Sequence, residues 1–322
     1  MKIGFGAPVS GVWATPDTLA SIAASAEAAG YASLWTFQRL MVPEGSAMEP
    51  VYHSVLDPMV ALGYLAAVTQ RIRLGVAVVN MPYLAPGYLA KMAATADVLS
   101  RGRLELGLGI GWLPEEFTVT GGTMARRGVR TGEYIEVMRR VLAEGLAEFH
   151  GQDYELPAGW FAPNPVQRPG PPILLGGIAR PALERAGRLA DGWVTSSRTD
   201  LSRISEGISV VRSAAGEAGR DPDSIRIICR GVVRAGAPVT VPEGGGRVLL
   251  SGSYADIRGD VEWLAERGVT EIFYDLNWDP LVGAPDADPV GAVARAEEIL
   301  TELAPGGQPE GDRARPASGA AS

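Results

Sequence analysis

Eight short apolar runs, each followed by a stretch with helical spacing, constrain this chain more than any other property of its sequence. The clearest unit is Arg73–Trp112, RLGVAVVNMPYLAPGYLAKMAATADVLSRGRLELGLGIGW. Leu74–Val79 is a valine-rich run of the kind found in strands covered on both faces. Pro82 and Pro86 delay the helix. From Gly87 the apolar positions Leu89, Met92, Ala93, Ala96 and Leu99 recur at helical spacing, and Gly102 supplies the stop. Arg103–Gly109 is extended again and runs into Gly109-Ile110-Gly111-Trp112.

The same alternation extends along the chain. Strands are expected at Ile3–Ala7, Ala32–Phe37, Leu74–Val79, Arg103–Gly109, Ile173–Leu175, Trp193–Thr195, Ile225–Arg234 and Thr270–Leu276. Thr15-Pro16, Asp57-Pro58 and Asp288-Pro289 pair an N-cap residue with proline at the first helical position, and Ser253 with Asp256 marks another helix start. One longer helix is expected to carry Ile135, Met138, Leu142, Leu146 and Phe149 on one face and to close at His150-Gly151. Residues 152–172, rich in proline and glycine, read as an excursion outside the main body.

Eight βα units point to an α/β fold, a (β/α)8 TIM barrel over 1–304 with an excursion between helix 4 and strand 5. Residues 305–322 (PGGQPEGDRARPASGAAS from Pro305) have the composition of a disordered tail. A doubly wound dinucleotide-binding sheet is the rival. Gly-Leu-Gly-Ile-Gly-Trp lacks its third glycine, and Pro114 is expected to block the helix that should follow.

Composition removes several function classes. Net charge is −8 with basic residues dispersed, which disfavours nucleic acid. No apolar run approaches the roughly 18 residues of a membrane span, and no signal peptide is expected, since the apolar stretch at the start, MKIGFG, is too short for one. The one cysteine, Cys229, reads as core filler, and the two histidines, His53 and His150, are too far apart in sequence for a His-rich metal site. No metal is expected, and the cytoplasm is the expected compartment.

In a barrel, chemistry collects where the strands' carboxyl ends meet the βα loops. That brings Gln38-Arg39, Val78–Met81, Gly109–Trp112, Gly176-Gly177, Ser196–Arg198, Arg234 and Asp275–Trp278 to one mouth. Gly109/Gly111 and Gly176/Gly177 offer bare backbone to a flat ring or a phosphate. Gly176-Gly177 ahead of a helix also resembles an anion cradle. His53, in the long loop 38–56, is a candidate base, although solvent exposure is the plainer reading. Glu115 and Glu116 suit either a catalytic acid or the negative first turn of a helix. Trp35, Trp112 and Trp278 are candidates to wall a pocket. Arg198 suits an anion or plain solvent, and Asp275 a site or a buried pair.

The runs T-x-R-I-R-L-G-V-A-V, A-T-A-D-V-L-S-R-G-R and L-G-L-G-I-G-W, with PILLGGIARPALERAGRLADGW and Leu250-Ser251-Gly252-Ser253, resemble the bacterial luciferase-like monooxygenase superfamily, in particular its branch using the deazaflavin coenzyme F420. The resemblance implies an F420-dependent oxidoreductase, with an FMN-dependent monooxygenase and a non-catalytic flavin-binding barrel as alternatives. It implies a bulge, often with a non-prolyl cis peptide, near Val78-Val79-Asn80 beneath the ring. Gly109, Ile110 and Gly111 would line the ring's other edge, and Leu175, Gly176, Gly177 and Ile178 would hold its ribityl-phosphate end. Many members carry Asp-His after the second strand. Here the pair is Gln38-Arg39, so Gln38 can hydrogen-bond a ring carbonyl but not act as acid or base. His53 and Glu116 become the catalytic candidates. The expected partners are a small-molecule substrate and a second copy of the chain.

Overall fold

The structure is a computed structural model describing residues 1–236, 238–240 and 246–306. Strands β1 (Lys2–Gly6), β2 (Ser33–Thr36), β3 (Arg73–Asn80) and β4 (Leu104–Gly109) come first, followed by a hairpin of β5 (Leu146–His150) and β6 (Glu155–Trp160). Then come β7 (Ile173–Gly176), β8 (Gly192–Val194), β9 (Arg226–Val232), the short β10 (Arg234–Ala235) and β11 (Ser251–Gly252), and β12 (Glu271–Asp275). The helices are α1 (Pro16–Ala28), α2 (Pro58–Val68), α3 (Pro86–Leu99), α4 (Pro114–Thr120), α5 (Thr131–Leu142), α6 (Arg180–Leu189), α7 (Ile204–Glu217), α8 (Tyr254–Glu266) and α9 (Pro289–Glu302). Eight strands close an all-parallel barrel in the order β1-β12-β9-β8-β7-β4-β3-β2. This is the (β/α)8 architecture expected from the alternation.

Local chemistry explains the helix starts. Thr15 accepts from the Thr18 N–H, Asp57 from Met59 and Val60, and Asp288 from Gly291, each just ahead of a proline that needs no donor there. Ser253 and Asp256 form a reciprocal capping box at α8.

Two expectations are corrected. Leu146 and Phe149 do not prolong α5. Gly145, at φ +107°, turns the chain away, and Leu146–His150 pairs antiparallel with Glu155–Trp160. The hairpin is tied back to α5 by the Glu133 carboxylate, which accepts from the N–H groups of Gln152 (2.9 Å), Asp153 (2.7 Å) and Tyr154 (3.1 Å). The excursion therefore begins at residue 146 and carries two strands. Pro114 does not block a helix but opens α4, because a first-turn proline forfeits only an N–H that had no partner. The expected tail lies outside the described residues from 307 onward.

The lower end of the barrel interior is charged. Arg226 bridges Glu105 (2.5 Å) and Glu271 (3.1 Å), Arg73 also pairs with Glu105, and Ser33 and Trp35 donate to Glu271. Above them Trp35 stacks on Phe273 at 5.1 Å among Ala77, Leu174, Val194 and Ile228. Cys229 is fully buried in β9, and burial pushes its thiol up to about 12.

Candidate active site

Above this layer, at the C-terminal ends of the strands, lies a cavity of about 310 Å³. Its floor is the end of β3. The β3–β4 register slips by one residue between Val76 and Val79, and this bulge pushes the half-buried Val78 into the cavity. The peptide bond Ala77–Val78 is cis. The family resemblance had pointed to the neighbouring Val78-Val79-Asn80.

The rim glycines acquire a more specific reason than the approach of a ligand. A Cβ on Gly109 would stand 2.6 Å from Val78 Cγ2 and 2.8 Å from Asn80 Oδ1, and one on Gly176 would stand 2.8 Å from Val78 Cγ1. On Gly107 it would collide with the Val76 carbonyl oxygen. These glycines make room for the bulge itself. Gly111, at φ +69°, faces Phe117 and the Tyr83 hydroxyl, each 2.8 Å from where its Cβ would be.

Hydrogen bonds fasten the floor to its neighbours. Gln38 Oε1 accepts from the Asn80 N–H (2.8 Å), and Asn80 Oδ1 accepts from the Gly111 N–H (2.9 Å), so the exits of β2, β3 and β4 are linked in series. On the opposite side Arg230 projects from β9 and is almost wholly buried. Its Nη2 donates to the Ala77 carbonyl, its Nε lies 3.5 Å from Asp275, and its guanidinium sits 4.8 Å from the Trp278 ring. Burial pushes the Asp275 carboxyl up, an effect opposed by Arg230 and by two hydrogen bonds from Asn277. Burial likewise lowers Arg230, an effect opposed by Asp275.

Arg39 enters from the loop after β2 and is 9% exposed. Its guanidinium lies 4.7 Å from the Tyr52 ring and 4.8 Å from Trp112, with Glu116 behind it at 3.0 Å. Glu116 also accepts from the Tyr83 hydroxyl and the Leu40 N–H, both at 2.8 Å. Burial, then the bond to Glu116, pushes the Tyr83 hydroxyl up.

Of the residues expected at the site, Gln38, Val78, Asn80, Gly109, Ile110, Gly111, Gly176, Gly177 and Ile178 line the cavity. Val79 and Leu175 turn into the core instead. His53 ends a 3-10 turn in the solvent and lies outside the wall. Glu116 is 1% exposed and lies behind Arg39, outside the lining, while Glu115 is exposed. Trp112 and Trp278 line the cavity, whereas Trp35 packs below it. Tyr52, Thr195 and Arg230 line the cavity and were not singled out from sequence. Arg230 had a readable signal, a lone charge inside the apolar run IICRGVV. Among the described residues no group of three or more His, Cys, Asp or Glu side chains is placed to hold a metal ion, and no helix is long and apolar enough to cross a membrane.

A sequence profile described as luciferase-like monooxygenase matches residues 4–238. The chain belongs to the luciferase-like monooxygenase family. Within that family it is 31% identical over 294 residues to an uncharacterised protein of Mycobacterium tuberculosis, covering 87% of this chain and 92% of the relative. Its fold is shared with the coenzyme F420-dependent tetrahydromethanopterin reductase of Methanopyrus kandleri (TM-score 0.72, 18% identity, 94% of this chain and 99% of the other). It is shared equally with a riboflavin lyase solved with modified FMN and riboflavin (TM-score 0.70, 14% identity, 94% and 91%). The same fold is thus found in an F420-dependent reductase and in a lyase solved with modified FMN.

Proposed function

We propose that the chain is an F420-dependent oxidoreductase, transferring a hydride between the deazaflavin coenzyme and a small organic substrate at the mouth of the barrel. The observation that carries this reading is the slot, with its apolar Val78 floor and donor-rich walls. Its volume suits the smaller ligand pockets, which begin at roughly 300 Å³. It would hold a planar ring, with the anionic end of the coenzyme directed at Gly177-Ile178. There the first turn of α6 has no side-chain cap, and orphan helix N–H groups favour anions. The likeness to an F420-dependent reductase supports the same choice.

The coenzyme, when bound, supplies the hydride chemistry. The chain supplies position. Gln38 and Asn80 hold the bulge, and the Gln38 side-chain amide, with no partner for its N–H groups among the described residues, is placed to donate to a ring carbonyl. Arg230 favours negative charge developing above the floor. Trp112, Trp278 and Tyr52 keep water out. The lining contains no histidine, carboxylate, lysine or cysteine, so proton exchange falls to hydroxyl groups such as Tyr52 and Thr195 or to water.

Titration of the purified protein with oxidised F420 and, separately, with FMN tests this reading. Saturable F420 binding and its reduction or oxidation by substrate are expected. FMN binding alone would sink the proposal in favour of a flavin enzyme, and binding without turnover over a broad substrate panel would favour a silent barrel. The active form is proposed to be a cytoplasmic homodimer. Val60 and Tyr64 on α2, with Tyr88 and Leu99 on α3, are exposed apolar side chains that a second copy would cover. Light scattering should give the dimer mass, and a monomer would remove that part.

A further inference from the structure

We infer that the outer half of the cavity binds the carboxylate of a small planar organic acid, clasped by Arg39 and Arg198 across Trp112. This deepens the proposed function by naming the substrate class, and it rests on that reading only in assigning the inner half of the cavity to the coenzyme ring.

The first observation is Arg39. A guanidinium carries five N–H donors, and buried polar groups are normally partnered. Arg39 is 9% exposed, yet its Nε and Nη1 make no hydrogen bond among the described residues. Nη1 faces Glu116, which lies behind the lining at 3.0 Å and supplies its counter-charge, so Nε is the donor left without any partner. The second observation is Arg198, on the loop after β8. Its guanidinium lies 5.3 Å from the same Trp112 ring and has no ion pair or side-chain hydrogen bond among the described residues.

Two cations are thus brought to one indole, against a wall that contains no carboxylate. Glu116 answers the Arg39 charge from behind, whereas Arg198 has no counter-ion among the described residues, and an anion held against Trp112 would supply one. A carboxylate meets guanidinium groups in planar, bidentate geometry, and the flat faces of Tyr52, Trp112 and Trp278 suit a conjugated substrate body. The whole chain carries −8, so this positive pocket is local and would distinguish acids from neutral analogues of the same shape.

The experiment titrates the protein, with and without coenzyme, with benzoate and with benzamide, which has the same shape and no charge. Binding is read from tryptophan fluorescence, and coenzyme affinity is measured separately from the coenzyme's own absorbance. Benzoate should bind at least about tenfold more tightly than benzamide, and Arg198→Met should remove about tenfold of that while leaving coenzyme affinity within about twofold. Arg198 is exposed, so this variant should fold. Equal binding of benzoate and benzamide would overturn the inference. So would an Arg198→Met protein that loses affinity for the coenzyme rather than for benzoate, because the anion would then belong to the coenzyme. If no coenzyme binds, the functional proposal fails by itself, and the benzoate titration of the coenzyme-free protein still decides the clasp.

Discussion

Replacing Glu116 by alanine separates two roles for a carboxylate that sequence alone leaves open. In the structure it is 1% exposed, accepts from two donors, the Tyr83 hydroxyl and the Leu40 N–H at 2.8 Å, and forms an ion pair with Arg39 at 3.0 Å. Removing it leaves a nearly buried guanidinium without its counter-charge, a change that typically costs about 3–5 kcal/mol. For a chain of 322 residues, with an unfolding entropy of about 2.1 cal/mol/K per residue, that corresponds to a melting temperature lower by about 4–7 °C. Circular dichroism melting of Glu116→Ala, Arg39→Ala and the double variant gives the coupling. The double variant should lose less than the two singles together, since it buries no lone charge. Glu116→Gln should also melt lower than the parent. A proton-donating Glu116 would instead lose turnover in Glu116→Gln with melting unchanged, and a Glu116→Ala protein melting within about 1 °C of the parent would refute the positioning argument.

Gly109→Ala should weaken coenzyme binding by about tenfold by displacing Val78, and adding Val78→Ala should recover part of it; a Gly109→Ala protein with unchanged affinity would show that the rim has slack. Arg103→Met should lower unfolding free energy by at least about 3 kcal/mol in urea titration, because Arg103 donates to the carbonyls of Ala66, Thr69, Ile72 and Ser100 and to the Thr69 hydroxyl. His150, hydrogen-bonded to Glu155 and Glu148 on the exposed hairpin, should titrate above 6.5 by NMR. A raised folded value means its stabilisation is complete below the unfolded value and lost as pH rises through the folded one, so His150→Gln should loosen hairpin amide protection at pH 6 and not at pH 9.

The helix starts were legible because a cap and its proline are neighbours: Thr15-Pro16, Asp57-Pro58 and Asp288-Pro289 each carry their own evidence. The β5–β6 hairpin was not, since Leu146 and Phe149 happen to continue the helical spacing of Ile135, Met138 and Leu142. Its true determinants, Gly145 and the Glu133 carboxylate, act through backbone geometry and a partner about twenty residues away. The Arg39–Glu116 pair spans two loops, and no local pattern announces it. Much of the motif that carried the family resemblance proves to be scaffold. Arg103 of S-R-G-R reaches Thr69 of T-x-R, and Asp97 of A-T-A-D holds Gln167 through both its N–H and its side chain. A motif of this kind reports the barrel more faithfully than the reaction performed in it.

The crowding around Val78 also bears on how such a protein can diverge. Its methyl groups occupy the places where side chains at 109 and 176 would be, so the floor is shared property of three strands. Any side chain at 109 or 176 therefore requires a smaller one at 78. Single substitutions can therefore retune the outer wall at Arg39, Arg198 or Tyr52, whereas the floor changes only through matched replacements made together. New substrate preferences in barrels of this design should arise at the rim, with positions 78, 109 and 176 varying as a set.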